Sequence, residues 1–305
     1  MTFSESLEMH RGTFLEALRV RSYSSATVKH YGRSLNVFFR FLASKSLDDV
    51  REVERSTVAG YQIWLGGQTF TTWTQHAYLQ CVRRFFEHLE KTDAIFINPC
   101  VNLKLPRLED RLPRTILTQE EARAILNAPN TQKKVGIRDR AILEIFYSTG
   151  IRREEMTRLS IHDVDPQHGF VRVNKGKFAK DRVVPMGQRA SRWVREYLQK
   201  VRREWIRVND EERALWLSSQ GKHPPISHQM ISVLIRNYAK AAGITRAVTP
   251  HVWRHTCATH LVANGANIAH VQRLLGHRSL QTTQIYTRVT IPDVKATHAR
   301  AHPRA

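Results

Sequence analysis

Six side chains in the second half of this 305-residue chain could act together. They are Arg152 in "TGIRREE", Lys177 in "NKGKFAKDR", His251 and Arg254 in "TPHVWRHTCATH", His277 in "LLGH" and Tyr286 in "QTTQIYT". Singly, each has an ordinary explanation as a surface arginine, a packing histidine or a half-buried tyrosine. Together they suit one reaction. Attack on a phosphodiester places extra negative charge on the non-bridging oxygens, and two guanidiniums can clamp those oxygens through fixed, permanently charged forks. That is electrostatic stabilisation aimed at the transition state. A histidine can share the clamp or take the nucleophile's proton near neutral pH, help that a phenol with a reference pKa of about 10 needs. A lysine can protonate the departing alkoxide. Tyr286 lies nine residues after His277 in the polar run "LLGHRSLQTTQIYTRV", where a tyrosine can reach a ligand as readily as a core.

Several elements must hold these groups. His251 and Arg254 are i, i+3, so they share one face of the helix expected from about residue 250. Two short β-prone runs, Phe170–Val173 and Arg182–Val184, flank a basic loop and read as a hairpin that carries Lys177 toward a groove. Arg152 follows Gly150, where the helical pattern of "IRDRAILEIFYSTGIRREEMTRL" is interrupted. Upstream, Thr118 and Glu121 are spaced as a capping box. Further helical patterns cover 189–207 and 229–242. His251 and His255 at i, i+4, with His260, could suggest a metal site. No Glu follows the first His as in H-E-x-x-H, so no metal is expected, and His255 is read as packing beside Arg254.

The first half looks all-helical. Val28, Tyr31, Leu35, Phe38, Phe39 and Leu42 recur at helical spacing behind Ser24 or Ser25 as N-cap, and Ala77, Leu79, Val82, Phe85, Phe86 and Leu89 repeat the pattern. Lys29, Arg33, Arg83 and Arg84 are left to face outward, as solvated charge or as phosphate contacts. Between the halves, "NPCVNLKLPRLEDRLPRT" carries three prolines and alternating charge. Proline denies a helix its hydrogen bonds, so the expected division is 1–107, a linker over 108–115, and 116–305.

Composition names the partner class. Lys and Arg number 48 against 27 Asp and Glu, a formal net charge of +21, with 15 His besides. Such a field concentrates polyanions, nucleic acid first and an anionic membrane second. Residues 1–107 account for +4 of that charge and 108–305 for +17. No apolar run approaches the ~20 residues of a transmembrane helix, and the N-terminus lacks the layout of a signal peptide. Three widely spaced cysteines suit a reducing cytosol.

The stretch "HVWRHTCATHLVANGANIAHVQRLLGHRSLQTTQIYT" closely resembles the signature of tyrosine site-specific recombinases: His-x-x-Arg, then Leu-Gly-His, then Tyr nine residues on. "STGIRREEMTRL" resembles that family's first arginine box and "KGKFAKDRVVP" its hairpin lysine, in the Xer-like and mobile-element branch. The resemblance implies a mainly α fold with a small β-hairpin or sheet (α+β). A helical SAM-like core-binding domain and a catalytic domain would form a C-shaped clamp on DNA, with no room for an additional arm-binding domain. It further implies a Tyr286 nucleophile that joins a DNA 3′-phosphate, Arg152 and Arg254 on the scissile phosphate, and His251 as general acid/base. His277 would be a supporting donor, Lys177 the proton source for the 5′-hydroxyl, and Glu155 the acid that orients the site. The usual hairpin reads Gly-Lys-Gly-x-Lys-Asp/Glu-Arg. Counting back from Arg182 selects Lys177, and counting from the other end selects Lys175. Arg153, Lys175 and Lys180 join the DNA-contact candidates.

By that resemblance the expected function is recombination through a Holliday junction without metal, ATP or other cofactor. A homotetramer would act on two double-stranded DNA sites, with or without a second recombinase, in the cytoplasm at the nucleoid. Integration or excision of a mobile element, as in transposition, is the first expectation and Xer-type dimer resolution the alternative. A type IB topoisomerase and a non-catalytic DNA-binding protein are the other readings.

Overall fold

The computed structural model describes residues 3–108, 116–174, 181–206 and 212–276, in two compact units, Met1–Asp110 and Arg111–Ala305. The first unit is helical: α1 (Glu5–Val20), α2 (Ser25–Ala43), a 3-10 turn at Val50–Glu52, α3 (Arg55–Gly66) and α4 (Thr72–Lys91). Ser24, rather than Ser25, caps α2, its hydroxyl accepting from the Thr27 N–H at 3.1 Å. The α2 stripe is buried as its spacing requires, and Phe38 packs edge-on against Tyr61 and Phe86. Of the α4 stripe, Ala77 is only half-buried.

Two charged residues depart from the expectation of outward-facing side chains. Lys29 and Arg33 are exposed on α2, whereas Arg83 and Arg84 are half-buried. Arg84 donates to the Tyr31 hydroxyl at 2.5 Å with its guanidinium over that ring, and Arg83 donates to Gln80 at 2.8 Å. Long aliphatic stems let an arginine cover apolar surface while its head finds a local acceptor, so its charge alone does not send it outward.

In the second unit the Thr118–Glu121 capping box opens α5 (Gln119–Asn127), both reciprocal bonds being present. There follow α6 (Lys134–Thr149) and the short α7 (Arg153–Arg158). The antiparallel sheet runs β1 (Val164–Asp165), β2 (Phe170–Val173), β3 (Arg182–Pro185), with Val173 opposite Arg182 across the hairpin. The two-residue β1 is too short to leave a period in the sequence. The pattern at 189–207 is α8 (Gln188–Tyr197), a π turn at Leu198–Arg202 and α9 (Arg203–Trp205), not one continuous α-helix. Buried Arg202 bonds the Ala214 and Glu212 carbonyls at this wider turn.

The unit is completed by α10 (His228–Ala241), α11 (Pro250–Ala263) and α12 (Ile268–Leu275). Its core joins Phe146, Tyr197, Trp216 and Trp253. All three cysteines are buried thiols. Among the described residues no helix is long and apolar enough to cross a membrane.

Candidate active site

Three arginines from three elements meet at the C-terminal end of α12. Arg254, on α11 and 5% exposed, donates from Nη1 to the Gly150 carbonyl at 2.6 Å and from Nη2 to the Leu275 carbonyl at 2.7 Å. Arg152, the N-cap residue of α7, donates from Nη2 to the Gly276 carbonyl at 3.1 Å. Arg182, at the start of β3, donates from Nε to the Leu274 carbonyl at 3.0 Å. The last carbonyls of a helix lack partners within it and carry the negative end of its dipole, so cations gather there favourably.

Glu155 sits among these charges and is 7% exposed. Its Oε1 accepts from Arg152 Nη1 at 3.0 Å and Arg182 Nη1 at 3.0 Å. Its Oε2 accepts from the Arg152 main-chain N–H at 2.8 Å and Arg182 Nη2 at 2.8 Å. Burial by itself would push this carboxyl up. The Arg182 fork, the Arg152 N–H and both guanidinium charges outweigh it and hold the pKa at about 2.

Two glycines permit the convergence. Gly150 ends α6 at φ +58°, and a Cβ there would lie 2.7 Å from Leu275 Cδ2 and 3.2 Å from Cys257 Sγ. Gly276 ends α12 at φ +66°, where a Cβ would lie 3.2 Å from the Arg182 guanidinium. Left-handed backbone and close approach both demand glycine here.

Of the residues singled out from sequence, Arg152, Glu155 and Arg254 therefore come together. His251 is exposed on the first turn of α11, one turn before Arg254. Arg153 is half-buried and turned aside, donating to Glu154 at 2.8 Å and to Ser232 of α10 at 3.2 Å. His255 is half-buried, its pKa lowered by burial and then by the His251 and Arg254 charges. His260 spends both ring nitrogens on structure, Nε2 at 2.9 Å from the Leu117 carbonyl and Nδ1 at 2.9 Å from the Tyr147 hydroxyl. Among the described residues no group of three or more His, Cys, Asp or Glu could hold a metal. Lys175, Lys177, Lys180, His277 and Tyr286 lie outside the described residues. Arg182 was not among the residues singled out by motif or chemistry in the sequence. Its one signal was a place directly after the basic loop, and its partners lie 27 and 92 residues away.

The sequence and the fold have counterparts among known proteins. Residues 115–291 match the phage integrase family, and residues 12–93 match the phage integrase N-terminal SAM-like domain. Tyrosine recombinase XerC 2 of Ralstonia nicotianae is 37% identical, over 94% of this chain and 84% of the relative. Tyrosine recombinase XerC of Oceanobacillus iheyensis is 35% identical, over 98% and 97%. Among solved structures, XerH site-specific recombinase bound to palindromic difH substrate aligns with TM-score 0.73 at 23% identity, covering 93% of this chain and 82% of that one. The chain belongs to the phage integrase family, and it is a site-specific tyrosine recombinase, an enzyme that cuts and rejoins DNA.

Proposed function

We propose that this enzyme recombines double-stranded DNA through a 3′-phosphotyrosyl intermediate and a Holliday junction, with six residues in defined roles. The Tyr286 hydroxyl oxygen attacks the scissile phosphorus while His251 takes its proton. The bond from phosphorus to the 5′ oxygen breaks, and Lys177 protonates that oxygen. Arg152 and Arg254 hold the non-bridging oxygens, with His277 as a further donor and Glu155 orienting Arg152. Rejoining reverses the same steps on a new 5′-hydroxyl. One phosphodiester is exchanged for a phosphotyrosyl ester and back, so no nucleotide is consumed.

The observation that carries this reading is the convergence of Arg152 and Arg254 on the end of α12. Their guanidiniums bond the Gly276 and Leu275 carbonyls at 3.1 and 2.7 Å, directly before His277 and ten residues before Tyr286. Two forks brought from distant sequence to the root of the tyrosine segment are what a phosphate clamp needs. A neighbouring surface fits DNA reading. Gln229, Val233, Arg236, Asn237 and Lys240 are exposed along one face of α10, beside the Arg153–Ser232 bond. Amide and guanidinium groups read base edges, and an apolar side chain suits a thymine methyl.

Structural relatives with DNA bound, such as the XerH complex, support a DNA site as the partner here. Four protomers on two sites and action at the nucleoid complete the proposal. Within the two-unit chain, 1–107 would bind the core site, 108–115 link, and 116–305 cut. Movement of a mobile element is the role we favour, given the strong positive charge. Xer-type dimer resolution is a second reading, favoured by the 35% identity to a XerC that spans 97% of that relative.

Covalent trapping tests the assignment. Nicked duplexes from DNA flanking the gene are incubated with protein and quenched in SDS. An adduct formed without added metal by wild type and absent in Tyr286→Phe is the expected result. An adduct retained by Tyr286→Phe means another residue attacks. Tight specific binding with no adduct from wild type means a binding protein or an obligate partner.

A further inference from the structure

Arg182 belongs to none of the roles above, yet each of its three guanidinium nitrogens is bonded within the cluster. We propose that Arg182 is a positioning residue for strand cleavage, fixing with one guanidinium both the carboxylate that orients Arg152 and the end of α12. The inference rests on the recombinase reading of Arg152 and of the segment after α12.

All three guanidinium nitrogens are committed. Nη1 and Nη2 form a fork on Glu155 at 3.0 and 2.8 Å, and Nε reaches the Leu274 carbonyl at 3.0 Å. The side chain is 14% exposed, so water competes weakly for these bonds. Gly276 leaves room for the guanidinium to lie against the chain, since a Cβ would come within 3.2 Å of its Nε and Cζ. The residue thus ties β3, α7 and α12 at one point. It also pairs with Val173 across the hairpin, so the sheet register sets its own position.

The consequence for Arg152 follows from the hydrogen-bond inventory of Glu155. With Arg182 present, each carboxylate oxygen has two donors, one from Arg182 and one from Arg152. Remove Arg182, and each oxygen loses one while the Leu274 carbonyl loses its side-chain donor. The carboxylate then loses half of its anchoring donors and no longer holds the Arg152 fork in the one orientation that the phosphate needs. The charged groups facing Glu155 among the described residues are Arg152 from its own turn and Arg182 from β3, with Arg254 beyond on the same α12 end. A lysine at 182 would restore charge to Glu155 but could not make the fork and the Leu274 bond together.

The test uses the full chain as Arg182→Gln and Arg182→Lys, with the nicked duplex described above. Thermal melting, DNA binding by mobility shift, and the rate of SDS-stable adduct formation from pH 4 to 8 are read for each. The expected result is binding within about 3-fold of wild type and a cooperative melt, with adduct formation slowed by about 30-fold or more in the Gln variant. Below pH 5 the Gln variant's rate should also fall more steeply than that of wild type. Its Glu155, no longer held ionised by Arg182, then protonates within the measured range. The Lys variant should recover the wild-type steepness but not the rate. A Gln variant with wild-type rate and profile overturns the proposal. So does a loss of rate that matches the loss of folded protein with the profile unchanged. A wild-type protein that binds this DNA but never forms an adduct overturns the recombinase reading of the site, and this proposal with it. A wild-type adduct beside an unimpaired Gln variant overturns this proposal alone.

Discussion

Arg254 and Gly150, 104 residues apart, are joined by a 2.6 Å hydrogen bond from the guanidinium to the glycine carbonyl. The bond fixes the turn that delivers Arg152 against the helix that carries Arg254. Replacing Arg254 by Ala leaves the Gly150 and Leu275 carbonyls without this donor in a buried setting and, in the proposed mechanism, removes a phosphate ligand. Adduct formation should fall by about 10²–10³-fold or more, as for other losses of a transition-state donor. Arg254→Lys should recover little, because one ammonium cannot span both carbonyls. Near-wild-type cleavage by the Lys variant would show that the fork geometry is unimportant.

Gly150→Ala should be costly for a different reason. The left-handed backbone disfavours Ala by roughly 1–2 kcal/mol, and a Cβ 2.7 Å from Leu275 adds an overpacking cost of about 1–3 kcal/mol. The melting temperature of the catalytic unit should drop by roughly 5–12 °C. An unchanged melt would mean that the α6–α7 turn relaxes freely.

Acid should loosen the site through Glu155. Its pKa in the folded chain is about 2, below the usual 4.5. A depressed carboxyl contributes stability above its unfolded pKa and loses it as pH falls through the folded value, here from about 4.5 down to about 2. Glu155→Gln lacks this dependence. The stability gap between wild type and Glu155→Gln, measured by urea unfolding, should be wide at pH 6 and narrow toward pH 3. A constant gap would show that the carboxylate is not held by its arginines.

On the helical unit, the basic residues of α2 and α4 should separate. Lys29 and Arg33 are exposed one turn apart, and each substitution by Ala should lower the salt dependence of DNA binding by about one ion. Arg84→Ala should instead cost about 1–2 kcal/mol of stability through the lost Tyr31 bond, with the salt slope unchanged. Salt titrations of binding, paired with denaturant melts, distinguish these outcomes.

What the sequence made legible was local. The aromatic stripe of α2, the Thr118–Glu121 box, the stop at Gly150 and the β2–β3 hairpin all follow from spacing within a few turns. Arg152 and Arg254 stood out through motif and chemistry. The half-burial of Arg84 against Tyr31 left no local signal, since the two lie 53 residues apart and no period links them. Arg182 went unassigned for the same reason, its role arising only when β3, α7 and α12 meet. The π turn after α8 was hidden because an inserted residue leaves an apolar helical pattern almost intact.

The grip on the end of α12 acts on main-chain oxygens, those of Leu274, Leu275 and Gly276. No side-chain substitution at those positions can delete an acceptor, so the anchor is written in the arginines and in the path of the chain. A mutational scan across 274–276 would therefore report leucine packing and glycine geometry and pass over the polar junction. Other apolar residues at 274 and 275 would leave the same grip in place, so long as the turn at 276 holds its shape.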